Sequence, residues 1–348
     1  MKLFLLVLSA CIAATAWAEE APAPTPSPTP LPTLREAVDA LDESQIQKAI
    51  DALSTNYLSP ESLDEASRQR ALLEGLLLRL GAGADLNQQG HATSQAIPFL
   101  AEILDGRIGY VRPGAMDAAA LEQTDSALGN FAEKSIPAVI LDLRGIPGGA
   151  EFDIAADFAR RFCPKGIILF TIEKPNAKQE RILTADRDAV FHGILVVLAD
   201  ANTSGAAEAL AATLRAHSNG MIVGTKTAGG AVESSDFPLG GGKTIRLAVS
   251  RVSLPESGPI FPIGVEPDIE ISLPTETQKK IFELTKEKGV SQFVFDTERP
   301  RMNEAALVAN TNPEISAAPE ADEATEPLRD TVLQRAVDLV TAISFYKK

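Results

Sequence analysis

Two short runs constrain this chain more than any other feature. Ala138–Leu143 (AVILDL) and Ile194–Ala199 (ILVVLA) are apolar almost without a break. A strand reads this way when both of its faces are covered, as in a parallel sheet flanked by helices. Each run ends in a small-residue turn that feeds a helical pattern: Gly145–Gly149 before 150–162, and NTSG (202–205) before 204–217. Strand-helix-strand order implies parallel strands joined by right-handed crossovers. The same reading puts strands at Arg107–Pro113 (RIGYVRP), Gly166–Ile172 and Met221–Gly224, and helices at 115–134 and 275–289. Thr244–Ser253 alternates Ile245, Leu247 and Val249 with Arg246, Ala248 and Ser250, the pattern of a half-buried strand. Gly240-Gly241-Gly242 reads as the turn before it. The expected class is therefore α/β.

The flanks differ from this core. Lys2, the apolar run Leu3 to Ala14 and the Ala16-Trp17-Ala18 site have the form of an export signal, with cleavage expected after Ala18. A lipoprotein signal is the weaker reading, because Leu8-Ser9-Ala10-Cys11 leaves only ten residues before the cysteine. Exported protein is expected in the periplasm or medium, with no membrane span after signal cleavage. Residues 19–33 (EEAPAPTPSPTPLPT) form a proline-rich spacer. Residues 34–53 carry Leu34, Val38, Leu41, Ile46, Ile50 and Leu53 at helical spacing, and a second helix starts near Ser59-Pro60 and stops at Gly81 or Gly83. The expected organisation is a helical unit over 34–86, a core over 87–303, an acidic linker over 304–328 and a closing helix within 329–348.

The charge is −15, with 32 Lys+Arg against 47 Asp+Glu. That balance argues against nucleic acid, whose phosphates need cations, and against anionic lipid. With Cys11 in the signal, Cys163 remains as a lone thiol, so no disulfide framework is available. Its place in Phe162-Cys163-Pro164 suits a buried structural thiol better than a nucleophile. His91, His192 and His217 are scattered without metal-ligand spacing. No Walker A loop and no strand-linked Gly-x-Gly-x-x-Gly is present, so neither metal nor cofactor is expected. The chemistry is instead sought in the two turns, since ligands in open α/β sheets bind outside the carboxyl ends of strands. Backbone N–H groups there can stabilise an oxyanion. The other reading is that the glycines only permit tight turns, and the residues alone leave both open.

LDLRGIPGG (141–149) resembles the LDLRxNPGG segment of the C-terminal processing (tail-specific) peptidases, serine peptidase family S41. VLADANTSGAAEALAATLRAHSNGMIVGTKTAGGA (197–231) resembles the segment that carries their nucleophile and lysine. IGYVR (108–112), GVEPDIEI (264–271) and RDTVLQRAVDLV (329–340) follow the same family in order, so the resemblance runs from about 34 to 348. It implies an S41 peptidase-like (ClpP/crotonase-like) α/β core with βαβ crossovers, an N-terminal helical unit and a C-terminal helix.

Two departures accompany the resemblance. The family usually carries a PDZ domain before the IGYVR strand, and the residues between Asp85 and Arg107 are too few for one. The family nucleophile lies three residues before a glutamate, and counting back from Glu208 gives Gly205. The family lysine lies 25 residues further, at Gly230. Both reactive groups of the dyad are thus expected to be missing. The implied oxyanion donors are the N–H groups of Gly149 and Ala206, which need no side chain and are expected to survive. A fallback dyad would use Ser204 with Lys226, or His217 as an unusual base; otherwise Ser204 caps the following helix and Lys226 is a surface lysine. Three functions follow: a non-cleaving binder of polypeptide or apolar ligand, an active serine endopeptidase using Ser204, or a scaffold for another exported protein. A binder requires an open apolar cleft, and a scaffold requires a large exposed apolar patch elsewhere.

Overall fold

A computed structural model describes residues 33–59, 63–88, 97–149, 151–175, 180–294 and 328–346. The expected export signal, the expected proline-rich spacer and nearly all of the expected acidic linker lie outside these residues. The chain divides into two compact units, Met1–Leu72 and Leu73–Lys348.

In the first unit lie α1 (Leu34–Asp39), α2 (Glu43–Asn56) and the start of α3 (Glu65–Leu80). The single helix expected over 34–53 is broken at Ala40–Asp42. Asp42 is the cause: its carboxylate accepts from Gln45 N and the Gln45 side chain returns to Asp42 N, so the chain restarts there with a capping box. Asp64, rather than Ser59, caps α3, accepting from Ser67 N at 2.7 Å.

The second unit holds two sheets. One contains β2 (Leu100–Leu104), β3 (Ile108–Arg112), β4 (Ala138–Asp142), β7 (Ile194–Ala199), β8 (Met221–Gly224) and β12 (Ile269–Glu270), in the order β12-β8-β7-β4-β3-β2. The strands from β3 to β12 are parallel, as expected, and β2 is an antiparallel edge. Helices α4 (Ala118–Glu133), α5 (Phe152–Ala159) and α6 (Gly205–His217) connect them. Val139, Leu141, Leu195 and Val197 join one core cluster with α4 to α6. Ala138, Ile140, Val196 and Leu198 join another with α8 (Thr331–Tyr346). Alternate residues of each apolar run thus serve opposite faces, which is why the runs have no polar interruption.

The second sheet was not foreseen in this form. It consists of β1 (Ala84–Gln88), β5 (Ile168–Glu173), β6 (Arg181–Thr184), β9 (Val232–Gly240), β10 (Lys243–Leu254) and β11 (Gly258–Pro259), all antiparallel. Residues 84–86, expected to end the helical unit, are instead strand and pair with β10. The alternation expected in β10 is absent from its first half, where residues 244–249 are all half-buried. There β10 pairs with β9 and β1, and nearly all of β9 is exposed. α7 (Thr275–Lys288) follows β12.

Arg144 fastens the parallel sheet to its last helix. Its guanidinium is 1% exposed and donates to both carboxylate oxygens of Asp142, at 2.8 and 2.6 Å, and of Asp330, at 2.9 and 2.8 Å. Tyr110 donates its hydroxyl to Asp142 at 2.7 Å, and Asp330 caps α8 by accepting from Leu333 N. Burial alone would raise the Asp142 carboxyl; Arg144 outweighs it and holds the group below its ordinary 3.8. A depressed carboxylate contributes stability that is complete above the unfolded value and is lost as pH falls through the folded one. Asp330→Ala is expected to lose about 3–5 kcal/mol in urea unfolding, because Arg144 is left buried with half its partners. Asp338→Ala, on the exposed face of α8, should stay within about 0.5 kcal/mol. Equal effects would remove Arg144 as the fastening.

Candidate functional site

Three loops meet at the carboxyl ends of β4, β7 and β8. The first, 143–149, leaves β4, and the second, 200–204, leaves β7. Asp200 holds them together. Its Oδ1 accepts from Gly145 N at 3.0 Å and from Asn202 N and Thr203 N in its own turn. Its Oδ2 accepts from Gln278 Nε2 at 2.7 Å, which ties α7 to the same point. Thr203 Oγ1 donates to Leu143 O, and Ser204 N donates to Ile146 O.

Glu208 holds the third loop, 225–231. Its carboxylate is buried and accepts from Thr227 Oγ1, from Gly229 N at 2.7 Å and from Gly230 N at 2.8 Å. Burial raises this carboxyl against the pull of those donors. Thr227 Oγ1 in turn accepts from Val265 N, so residues 227–230 are clamped on two sides.

Gly205 opens α6 at φ +60, a conformation that a side chain adopts only under strain. A Cβ at this position would overlap the carbonyl oxygen and amide nitrogen of Gly149. The same Gly149 carbonyl accepts from Ala206 N at 2.9 Å. Of the two expected oxyanion donors, the Ala206 N–H is thus already bonded to the Gly149 carbonyl. A Cβ at Gly230 would overlap Ser204 Oγ. Each of the two glycines thus has its side-chain space filled by this chain's own atoms, a peptide group at 205 and a hydroxyl at 230.

The fallback residues do not assemble. Ser204 stands at the N-cap of α6, and its hydroxyl makes no capping bond, so the expected cap is not formed. Lys226 is exposed and pairs with Glu266 at 2.6 Å. His217 lies at the far end of α6, a helix of 13 residues, about 20 Å along the axis from Ser204. Cys163 is buried, and burial pushes its thiol up to about 12, so it stays a protonated core side chain.

Beside these loops opens a cleft of about 660 Å³. Pro147, Gly148, Ala201, Ala228 and Phe282 line it, with Gln278, Lys279 and Lys286 along the α7 side. Phe282 is held from below by the buried Arg112, whose guanidinium carbon lies 4.2 Å from the ring centroid, and by Arg144 at 5.4 Å. Asp200, Gln278 and Phe282 were not singled out from the sequence. An Asx-turn signature at Asp200-Ala-Asn-Thr was the available signal for the first; nothing marked the other two among ordinary helix residues.

Comparison with known proteins agrees with the motifs. Residues 107–271 match the model of Peptidase family S41. A carboxyl-terminal-processing protease of Synechocystis sp. is 30% identical over 65% of this chain and 54% of its own length. Carboxy-terminal processing protease CtpA of Bacillus subtilis is 27% identical over 50% of this chain and 37% of its own. The chain thus spans about half, or less, of the curated relatives it matches. A solved structure of a candidate peptidase from Parabacteroides merdae shares the fold, with a TM-score of 0.51, 16% identity, and coverage of 69% of this chain and 85% of that one.

The two glycines make different demands. Gly205→Ser is expected to cost about 1–3 kcal/mol from its φ alone, and more if the 145–149 loop resists moving. Gly230→Ala needs only a rotation of Ser204, so its urea midpoint should stay close to the parent. A reversed order would show that the Gly149 carbonyl does not occupy that space in solution.

Proposed function

From the match of residues 107–271 to Peptidase family S41, we propose that this chain is an exported, non-cleaving relative of the C-terminal processing peptidases. It holds an extended polypeptide or apolar segment in the cleft between α7 and the 145–149 and 200–204 loops. The observation that carries the reading is the filling of the two reactive positions: Gly149 O against Gly205, and Ser204 Oγ against Gly230. A chain that had lost only its nucleophile would keep an empty hole facing the substrate. Here one of the hole's two expected donors, the Ala206 N–H, is already bonded, which weakens the residual catalysis of a bare oxyanion site as well. Loss of a nucleophile in a dissected serine protease costs about 10⁶ in turnover, which leaves nothing useful above background.

The cleft suits binding. Its lining of Pro147, Ala201, Ala228 and Phe282 is apolar, and Asn202, Gln278 and the backbone of the loops supply polar points along one side. That mixture of apolar wall and few polar groups is what polypeptide and small-molecule sites share.

The test pairs cleavage with binding, using fluorescein-labelled casein. Parent and Ser204→Ala proteins should both leave the casein intact. The parent should bind it, and Ala201→Trp with Ala228→Trp, which fills the exposed cleft, should weaken binding at least tenfold. Cleavage by the parent that vanishes in Ser204→Ala would make the chain a peptidase. Binding indifferent to the two tryptophans would move the ligand out of the cleft.

A further inference from the structure

Among the described residues the buried arginines are Arg112, Arg144 and Arg161. Two of them grip carboxylates. Arg144 holds Asp142 and Asp330, and Arg161 holds both oxygens of Asp125 at 2.7 and 2.6 Å. Arg112, 0% exposed, makes no ion pair among the described residues. Its Nε donates to Pro98 O at 3.4 Å and its Nη2 to Thr285 Oγ1 at 2.9 Å, both neutral acceptors. Its Nη1 has no partner. Among the described residues, His217 Nε2 is the one other buried side-chain nitrogen or oxygen left so. Buried side-chain donors almost always find an acceptor, and a buried charge is ordinarily paired.

The clasp on β4 does not meet this need. Asp142 and Asp330 outnumber Arg144 by one, so a second cation nearby is tolerated, and Arg112 helps Arg144 to hold the Asp142 carboxyl low. The oxygens of both carboxylates accept from Arg144 instead. Charge balanced at a distance leaves the hydrogen bond unmade.

The place of Arg112 says what can make it. Pro98, whose carbonyl takes Nε, lines the cleft of about 660 Å³, and so does Phe282, whose ring centroid lies 4.2 Å from the guanidinium carbon. Arg112 itself does not line that cleft. The cation therefore stands one side chain behind the wall, and open cleft lies beside the ring that covers it. A ring that turns aside gives up a cation–π contact. A charge-assisted hydrogen bond to an incoming carboxylate replaces that contact, and the planar guanidinium fork suits a planar acceptor in the slot of a planar ring. Lys279 and Lys286 also line the cleft, but Glu283 stands between them and Lys279 already pairs with Glu276 at 3.1 Å, so the rim itself selects little. A polypeptide lying along an open cleft points side chains at its walls. A wall one side chain thick is crossed best by a long acidic side chain.

We infer that Arg112 sets the specificity of the cleft: a side-chain carboxylate of the bound polypeptide, glutamate above all, displaces the Phe282 ring and accepts from Nη1. The inference rests on the reading of the cleft as a polypeptide site.

The probes are two decapeptides with fluorescein at the amino end and an amide at the carboxyl end, alike except for one central glutamate or glutamine. Anisotropy with the full chain should give the glutamate peptide an affinity about tenfold higher or more. The preference should persist in about 0.5 M salt, since a buried pair is screened far less than one with exposed Lys279 or Lys286. Arg112→Met keeps the volume and removes an unpaired buried charge. It should match or exceed the parent's urea midpoint and bind both peptides equally. Phe282→Ala should keep the preference, because the ring makes way for the carboxylate and does not bind it. Equal binding of the two peptides by the parent overturns the inference, and so does a preference that salt abolishes, that survives in Arg112→Met or that is lost in Phe282→Ala. The peptide pair and the salt series use the parent alone, so they decide even if Arg112→Met does not fold. A glutamine peptide with a free carboxyl end that binds as tightly as the glutamate peptide would give Arg112 to a chain terminus and overturn the side-chain assignment. Casein bound by a parent that ignores glutamate overturns this inference and leaves the cleft reading standing. Casein and both peptides unbound would overturn the two together.

Discussion

The clasp of Arg144 between Asp142 and Asp330 sets the geometry on which the rest of the core depends. Residues 142 and 144 bracket the end of β4, so whatever fixes Arg144 also fixes where the 145–149 turn begins. Asp330 lies 186 residues further along the chain and starts α8, the helix that covers the second face of the parallel sheet. One guanidinium therefore closes the fold and aims the loop. Buried ion pairs often contribute little net stability compared with apolar packing of the same volume. Their value here is directional: an apolar side chain at 144 could fill the space but could not hold two carboxylates, a helix cap and the tyrosine behind them in one arrangement.

Arg144 also lies over Phe282, and this links the clasp to the cleft. Phe282 belongs to α7, whose Gln278 donates to Asp200 at the other end of the same wall. Asp200 organises the first two loops and Glu208 the third. Two carboxylates, one half-buried and one buried and each with several donors, thus do the positioning. The charge chemistry of the region is invested in holding backbone.

What could be read from the sequence follows from where each signal is local. β7 and β8 have the bounds expected for them, and α6 begins one residue later, because apolar runs ended by turn residues encode both element and edge. The break at Asp42 was equally local and was overlooked because apolar spacing alone continues across it. β1, β6 and β9 were missed for a different reason. Ala84–Gln88 and Val232–Gly240 carry neither clean alternation nor an apolar run, and they become strands only because β10 gives each an edge to pair with. β-structure of that kind depends on the partner more than on the residues themselves.

The site repeats this lesson at the scale of single atoms. The family resemblance, counted from Glu208, was sufficient to single out Gly205 and Gly230, and to name Gly149 and Ala206 as the implied oxyanion donors. It could not show that the Gly149 carbonyl accepts from Ala206 N, because a peptide group can present either edge at the same residue spacing. That orientation changes the meaning of the glycines. With the carbonyl inward, the missing Cβ is what allows the loop to approach, and the Ala206 hydrogen bond is what holds it there. Ser204 then takes the space beside Gly230 that a longer side chain would have claimed. The glycines at 205 and 230 are thereby coupled through Ser204 and the 145–149 turn, and a side chain placed at 205 without moving that turn meets volume already given to Gly149.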